Sequence, residues 1–300
     1  MKNKVLMGSI FCIFAACCWG VSGAAGQFLF DHTGITPEWL VSTRTLAVGI
    51  LMLAFLQIRK GGVFEIWTDK DDRKGIVIFT LGGMLFMQYG YFAAIDHCNA
   101  ATATVLQYTA PILIVVYLAL RNKKLPTLVE SIAVAGCLIG TILLATHGDL
   151  NNLSLSPLAL FWGLLSAVAL AFYTIYPTRL LAKYDTMLLI GWSMLIGSFV
   201  MHFVHPSWDY AANWDLPGVA AMVFIILFGT MTPYLLFLNG VKYIGPTKSS
   251  LFASAEPIAS TVVSVVWLKV GLEAMDYLGF VFIVTAVLML SFIKPKEAKA

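Results

Sequence analysis

Runs of about twenty apolar residues recur along almost the whole chain and are separated by short polar loops. A helix needs ~20 such residues to cross the hydrocarbon core of a bilayer. Only 12% of the residues are charged, about half the ~25% typical of a soluble domain, so too few polar groups exist to cover a water-facing surface. Barrel strands would alternate in polarity over ~10 residues. The sequence therefore predicts an all-α integral membrane protein.

We predict ten transmembrane helices, called spans 1 to 10. Their predicted limits are 5–28, 37–57, 75–95, 101–119, 126–146, 157–177, 186–205, 216–236, 247–268 and 272–293. Span 1 follows two lysines but is too long for a signal peptide and lacks a convincing cleavage site. Four of the five cysteines lie inside spans, and no CxxC pattern occurs. Neither a disulfide framework nor a metal site is therefore expected.

The basic residues predict how the chain is oriented in the membrane. All but two of the 19 Lys and Arg residues fall in one set of alternating loops; the exceptions are Lys269 and Arg44. Such loops stay on the cytoplasmic side. We therefore expect a multi-pass protein of the cell inner membrane with both termini in the cytoplasm. All five histidines lie near the opposite face, where interfacial positions explain them better than a pH or metal sensor.

The chain contains two related halves of five spans each, residues 1–147 and 148–300. Pro111 aligns with Pro257 at an offset of 146 residues. Because five is an odd number, the second half enters the membrane from the opposite side. Inverted repeats of this kind can exchange inward-open and outward-open forms around a site near the midplane. This symmetry favours a carrier that works by alternating access, since an enzyme has no general need for it.

Several short motifs resemble those of the drug/metabolite transporter superfamily, and specifically its EamA-like branch. They are Cys18-Trp19-Gly20, the stretch around Arg44, LQYTAP at 106–111 and SAEP at 254–257. The resemblance covers essentially the whole chain and departs from the family at the ends of spans 4 and 9, where many members carry Gly-Glu. It implies a secondary active transporter, acting as an exporter of small organic metabolites, with amino acids or amino-acid-like compounds as the leading class.

Glu256 is the sharpest functional candidate, because it lies about nine residues into span 9, near the bilayer centre. An ionisable group at that depth is costly and marks a functional site. We expect it to bind a substrate ammonium group or a coupling proton; the alternative is a hydrogen bond that fastens span 9 to a neighbour. Pro111 and Pro257 interrupt the backbone hydrogen bonds about halfway along their spans. They are predicted hinges, with simple helix bending as the alternative.

A central cavity walled by aromatic and amide side chains would suit a small amphipathic solute, although packing is an alternative for each of these side chains. The predicted substrate-binding residues are Trp19, Gln88, Tyr91, Gln107, Tyr108, Tyr173, Tyr234, Asn239 and Glu256. Arg44 could snorkel to the outer headgroups or pair with a carboxylate inside the bundle; the family resemblance favours a shared structural role, and Arg44 is left out of the site. Spans 5 and 10 are almost wholly apolar after their first turns; the resemblance implies that they lie at the periphery, where they are candidates for a homodimer interface.

The motifs that are absent from the sequence narrow the function further. The sequence lacks a Walker A motif, the zinc-protease HExxH and the hydrolase GxSxG, so neither direct ATP use nor an enzyme is expected. We expect no cofactor and no nucleic-acid partner. A nucleoside, vitamin, sugar or cationic drug stays open as the solute, and an intramembrane enzyme or sensor is the alternative outside transport. Proton coupling is a hypothesis that rests on Glu256.

Overall fold

A computed structural model of the protein describes residues 2–121, 123, 127–146, 155–206, 208, 213–245, 248–249, 252–253 and 255–291. Within these residues every regular element is helical. The α-helices are α1 (Lys2–Thr33), α2 (Pro37–Arg59), α3 (Lys70–Phe79), α4 (Phe86–His97), α5 (Ala100–Gln107), α6 (Ala110–Arg121), α7 (Leu128–Thr146), α8 (Pro157–Ile175), α9 (Thr178–Lys183), α10 (Thr186–Val204), α11 (Leu216–Phe224), α12 (Thr232–Ile244), α13 (Ala255–Val266) and α14 (Ala274–Ser291). A 3-10 turn covers Glu65–Trp67.

Six helical stretches in the described residues are long and apolar enough to cross a membrane. They are Lys4–Thr33, Pro37–Arg59, Lys70–His97, Pro157–Lys183, Thr186–Val204 and Leu216–Ile244. Four shorter apolar helices lie at Ala100–Ile114, Ser131–Leu143, Ala255–Val266 and Ala274–Ala286. Large apolar side chains cover the outside of the bundle, among them Ile58, 88% exposed, and Leu128, 76% exposed. The protein is an all-helical membrane protein; the ten-helix count and the orientation stay predictions.

Polar caps fix where six of these helices begin. Each cap has extended backbone and a side-chain oxygen that accepts a hydrogen bond from the first turn, which satisfies one of the free N–H groups there. These caps are Thr36, Asp69, Asn99, Ser156, Asp185 and Asp215. In α2 and α8 a proline follows the cap directly, where its missing N–H is not needed. Span 3 therefore begins at Lys70, behind the Asp69 cap, rather than at residue 75.

The helix breaks in spans 4 and 9 differ from the predicted mid-helix kinks. α5 ends at Gln107 and α6 begins at Ala110, so Pro111 lies in the first turn of a new helix. Pro257 likewise lies in the first turn of α13. A first-turn proline removes no intrahelical hydrogen bond, and the interruption therefore precedes each proline. The hinge role of the two prolines stays a prediction.

Two π-helical segments interrupt the long third and eighth spans. Thr80–Leu85 joins α3 to α4, and Ile225–Met231 joins α11 to α12. The offset of 146 that aligns the two prolines also aligns Gly83 with Gly229, one in each segment. A Cβ at Gly83 would lie 3.1 Å from the Cα of Tyr173, and one at Gly229 would overlap the Ser22 side chain. Both bulges therefore occur where another helix approaches closely.

Helix α1 packs against α12 and α13, α2 against α10, and α4 against α8. The approach of α1 to α13 is close enough that a Cβ at Gly20 would lie 2.7 Å from the backbone nitrogen of Ser260. α7 packs mainly on α14, and a Cβ at Gly140 would meet the carbonyl oxygen of Gly279 at 2.7 Å. This packing leaves a cavity bordered by α1, α2, α4 and α12 and by the broken ends of α5, α6 and α13.

Candidate functional site

The cavity lies inside the bundle and has a volume of about 50 Å³, room for roughly four waters at ~10–15 Å³ each. Seven of the nine predicted substrate-binding residues line it. They are Trp19, Gln88, Tyr91, Gln107, Tyr108, Tyr234 and Glu256. Its walls also contain residues that the sequence analysis did not select. Those with polar or aromatic side chains are Ser22, Arg44, Phe92, Thr174 and Phe237.

Aromatic rings form much of the wall and contact one another. The Trp19 ring lies 5.1 Å from Tyr234 and 5.2 Å from Phe237, both measured between centroids. Edge-on and tilted ring pairs at such distances are favourable and rigid. The hydroxyl of Tyr91 lies 2.8 Å from that of Thr104, and the Thr104 hydroxyl donates to the Ser260 hydroxyl at 3.1 Å. These contacts tie α4 and α5 to α13 beside the cavity.

Glu256 is held at the cavity wall by a tyrosine. Its side chain is buried, and Tyr108 Oη donates a hydrogen bond to Glu256 Oε2 at 2.8 Å. Tyr108 directly follows α5, and Glu256 lies in the first turn of α13. Two helix interruptions thus place this donor and acceptor together, and the N-terminal dipole of α13 favours negative charge there.

Arg44 is the second charged residue of the cavity, and its partners are neutral. Its side chain is buried; Nη2 donates to Gln88 Oε1 at 2.7 Å, and Nη1 has a longer contact of 3.4 Å with Thr230 Oγ1. The guanidinium carbon lies 4.4 Å from the centroid of the Phe92 ring, within cation–π distance. Of the alternatives for Arg44, snorkelling is excluded, because the side chain is buried and lines the cavity. Its depth in span 2 was the available signal.

Three buried polar atoms of the cavity walls have no hydrogen-bond partner in the described residues. They are Trp19 Nε1, Ser22 Oγ and Arg44 Nε. Leaving a buried donor unsatisfied costs about 1–3 kcal/mol, and such atoms are rare in folded proteins. Their presence in one cavity indicates a place that a polar ligand or water occupies.

Two predicted binding residues lie elsewhere. Tyr173 is fully buried behind the aromatic wall, with its ring stacked 5.6 Å from Phe79. Asn239 faces α10, where it accepts a hydrogen bond from Thr186 Oγ1 at 3.1 Å. Neither residue lines the cavity. The sequence predicts both as binding residues because they are polar and lie inside spans. Polarity alone does not reveal which neighbour a side chain faces.

An ion cluster that the sequence analysis did not find joins the start of α3 to the region around α9. Asp72 is fully buried and accepts hydrogen bonds from Arg179 Nη2 at 2.6 Å, Tyr184 Oη at 2.7 Å and Lys183 Nζ. We call this set the Asp72 cluster. Nearby, backbone N–H groups of Asp72 and Asp71 lower the pKa of the capping Asp69. The cluster links one half of the chain to the other.

A smaller contact joins the two halves at the face opposite to the Asp72 cluster. It lies near the start of α2, whereas the Asp72 cluster lies past its end. His32 Nε2 lies 2.8 Å from Asp215 Oδ2, and both side chains are partly exposed. The hydrogen bond with His32 lowers the pKa of Asp215, as does the one donated by the Gly218 backbone. We call this contact the His32–Asp215 pair. Asp69 and Asp215, both helix caps, are related by the same offset of 146.

Comparison with known proteins identifies the family. A family model described as the EamA-like transporter family matches residues 6–146 and 157–292. The chain belongs to this family. The membership confirms the resemblance carried by the Trp19, Arg44 and proline motifs, and it identifies the protein as a transporter-family member.

Two relatives of this EamA-like protein are similar to it over more than nine tenths of their length. One named "Uncharacterized inner membrane transporter YicL", from Salmonella typhimurium, is 34% identical over 98% of each chain. Another, "Uncharacterized transporter YcbK" from Bacillus subtilis, is 22% identical over 94% of this chain and 92% of its own. A solved crystal structure, 18% identical, superposes with a TM-score of 0.64 and covers 96% of both chains. This last match shows a shared fold.

Proposed function

We propose that this EamA-like protein is a secondary active exporter of small organic metabolites, amino acids or amino-acid-like compounds foremost. It resides in the cell inner membrane with both termini in the cytoplasm, and its two inverted five-helix halves alternate access to the central cavity. The observation that carries this proposal is buried Glu256, which sits with unpartnered polar atoms inside an aromatic cavity.

The chemistry of the cavity supports an amino-acid-like solute. A carboxylate in a low-dielectric site attracts an ammonium group strongly, and Glu256 has one oxygen engaged by Tyr108. Rings of Trp19, Tyr234 and Phe237 provide an apolar wall for a side chain. Seven of the predicted substrate-binding residues surround this space, and we assign them to solute contact. An uncharged sugar would leave Glu256 without a counter-charge.

The small cavity supports a mechanism in which the halves move. A volume of about 50 Å³ is too small for an amino acid, so the walls must separate for entry. The N-terminal turns of α6 and α13 both reach the cavity, at Ala110 and Glu256. Discontinuous helices at the midplane are the usual place where carriers bind solutes and ions. We assign the hinge role to the breaks before Pro111 and Pro257.

Coupling to protons is proposed for Glu256 as well. A carboxyl group that exchanges a proton for a solute ammonium group would move one in each direction, because the two compete for the same negative charge. This exchange accounts for export against a gradient without ATP. The Glu256→Gln change removes the charge and retains the shape, so it separates the chemical role of Glu256 from its packing role.

The test is counterflow in proteoliposomes that contain the full chain. Vesicles loaded with one class of unlabelled solute at a time (amino acids, nucleosides, vitamins, sugars or organic cations) are diluted into labelled solute of that class. Amino acids are expected to give saturable, pH-dependent accumulation. Glu256→Gln is expected to abolish this accumulation at every pH. Glu65→Gln, the same change at an exposed residue of the 3-10 turn, is the matched control.

Two results would contradict the proposal in different ways. Accumulation of another class alone would replace the amino-acid assignment and leave the carrier mechanism. If Glu256→Gln kept both its rate and its pH dependence, the coupling role would be wrong and Glu256 would serve the packing of α13. Absence of counterflow for every class would contradict the carrier itself.

A further inference from the structure

Arg44 is a buried cation whose charge the described part of the protein does not balance. Its side chain is only 2% exposed, and it lies seven residues beyond Pro37, ~10 Å along α2 at 1.5 Å per residue. Moving a guanidinium out of water is costly unless an anion or a full set of hydrogen bonds compensates. Its five N–H donors therefore need strong acceptors.

The described residues provide few hydrogen-bond acceptors for the Arg44 N–H groups, and those acceptors are neutral. Gln88 Oε1 takes one N–H at 2.7 Å, Thr230 takes another at 3.4 Å, and Nε has no partner. Glu256 is the one carboxylate among the described residues that line the cavity, and it is engaged by Tyr108 rather than by Arg44. An anionic partner for Arg44 is thus missing from the described cavity walls.

The guanidinium is nevertheless held in a fixed plane. Gln88 Nε2 donates to the Met84 carbonyl oxygen at 3.2 Å, which turns Oε1 of the same amide towards Arg44. The Phe92 ring lies against the guanidinium carbon at 4.4 Å. A planar donor set fixed from one side suits a planar acceptor on the other, and the acceptor that matches an arginine fork best is a carboxylate bound through two oxygens.

We infer that Arg44 is the anion-binding residue of the cavity and that the solute carries a carboxylate group. This inference rests on the proposed function and narrows its substrate class. With Glu256 as the site for an ammonium group, the two charges select a zwitterion and fix its direction in the cavity. Trp19 Nε1 and Ser22 Oγ, both without partners in the described residues, are further donors that line the same cavity.

The test compares each proteinogenic amino acid with its carboxamide, which retains the ammonium group and side chain but lacks the anionic charge. Affinities are measured by thermal shift of the detergent-purified full chain. The wild type is expected to bind the stabilising acids at least tenfold more tightly than their amides. In Arg44→Gln this preference is expected to vanish, with acid and amide affinities equal within about twofold.

Arg73→Gln is the matched control, because Arg73 is an exposed residue of α3; its acid-over-amide preference is expected to equal that of the wild type. Retention of that preference in Arg44→Gln would show that Arg44 only braces α2 against α4, and would overturn the inference. Should Arg44→Gln fail to fold, Arg44→Lys, which retains the charge without the planar fork, carries the test. Part of the preference is expected to be lost there, and an unchanged preference would contradict the planar two-oxygen contact that the inference assigns to Arg44.

Failure of this inference is distinguishable from failure of the proposed function. If the amides or another class without a carboxylate bind and show counterflow while the acids do not, Arg44 is not an anion site, yet the protein remains a carrier. If no solute of any class binds or is transported, the proposed function is wrong, and the inference that rests on it falls too.

Discussion

Glu256 and Arg44 bring opposite formal charges into one cavity, and each is held by a neutral neighbour. Tyr108 donates to Glu256, and Gln88 accepts from Arg44; no ion pair joins the two charges in the described residues. A direct pair would neutralise both groups and leave little attraction for a charged solute. Separate neutral partners orient each group and leave its charge available, as a binding site requires.

At the residue scale, Tyr234 and Asn239 give opposite predictions although both lie in α12. Tyr234 lines the cavity and contacts Trp19, so Tyr234→Ala is expected to lower solute affinity about tenfold, or ~1.4 kcal/mol. Asn239 bonds to Thr186, so Asn239→Ala is expected to lower stability by about 0.5–1.5 kcal/mol and leave affinity within about twofold. Thermal unfolding with and without solute measures both quantities. Equal losses of affinity would contradict the placement.

Tyr234 and Asn239 also show how much the sequence predicts about the position of a single side chain. Polar and aromatic side chains in an apolar span predict a binding site, and Trp19, Gln88 and Tyr234 do line the cavity. Asn239 satisfies the same criterion yet faces another helix. The sequence does not distinguish an arginine that snorkels to the headgroups from one that lines a cavity, as Arg44 does. Which neighbour a side chain meets depends on helix rotation and tilt, and these are set by packing between distant segments.

At the element scale, helix starts can be predicted from the sequence because caps and prolines act on the first turn of their own helix. Pro37 and Pro157 begin helices where predicted, and Thr36 and Ser156 cap them. The π segments were not foreseen, since an added residue in a turn is stabilised by contacts with a neighbouring helix rather than by its own sequence. Gly83 and Gly229 mark both bulges, but glycines are common in membrane helices for many reasons.

Gly20 provides a prediction about helix packing. A Cβ there would lie 2.7 Å from Ser260 N and 2.8 Å from the Glu256 carbonyl oxygen, both backbone atoms of α13. Gly20→Ala is therefore expected to push α13 away from α1 and to destabilise the protein by about 1–3 kcal/mol, with loss of solute binding. Thermal unfolding and solute titration of the purified variant measure these losses.

Gly75→Ala is the matched control for Gly20→Ala. Gly75 is also helical, but the nearest atom to its added Cβ would be a Leu180 methyl at 3.5 Å, an ordinary contact. The higher helix propensity of alanine, up to ~1 kcal/mol, is expected to leave that variant as stable as the wild type or slightly more so. If Gly20→Ala behaved like Gly75→Ala, α1 and α13 would not approach as closely as the structure indicates.

At the scale of the whole molecule, the two halves are joined by polar contacts at opposite faces. The Asp72 cluster has three donors on one buried carboxylate, whereas the His32–Asp215 pair has one partly exposed contact. The proposed alternating access requires that each face open in turn, so contacts that close a face must break reversibly. The unequal number of bonds indicates that the face of the Asp72 cluster is held more firmly in this conformation.

This difference predicts opposite effects of two charge-removing variants on access to the cavity. A single cysteine at the cavity-lining Thr174, in a chain without the native cysteines, reports access to an impermeant thiol reagent. Asp72→Asn is expected to speed labelling in vesicles that expose the face of the Asp72 cluster, and Asp215→Asn in vesicles of the other orientation. The first effect should be larger, because three hydrogen bonds are weakened rather than one.

Asp71→Asn separates these effects from a general change of charge, since Asp71 is exposed beside Asp72, and it is expected to label like the parent chain. Faster labelling from one and the same face in both variants would mean that the two contacts do not guard opposite entrances. Unchanged labelling in both would mean that they hold the fold without closing the cavity. Opposite effects, in contrast, require a cavity that opens to either face and two halves that move against each other.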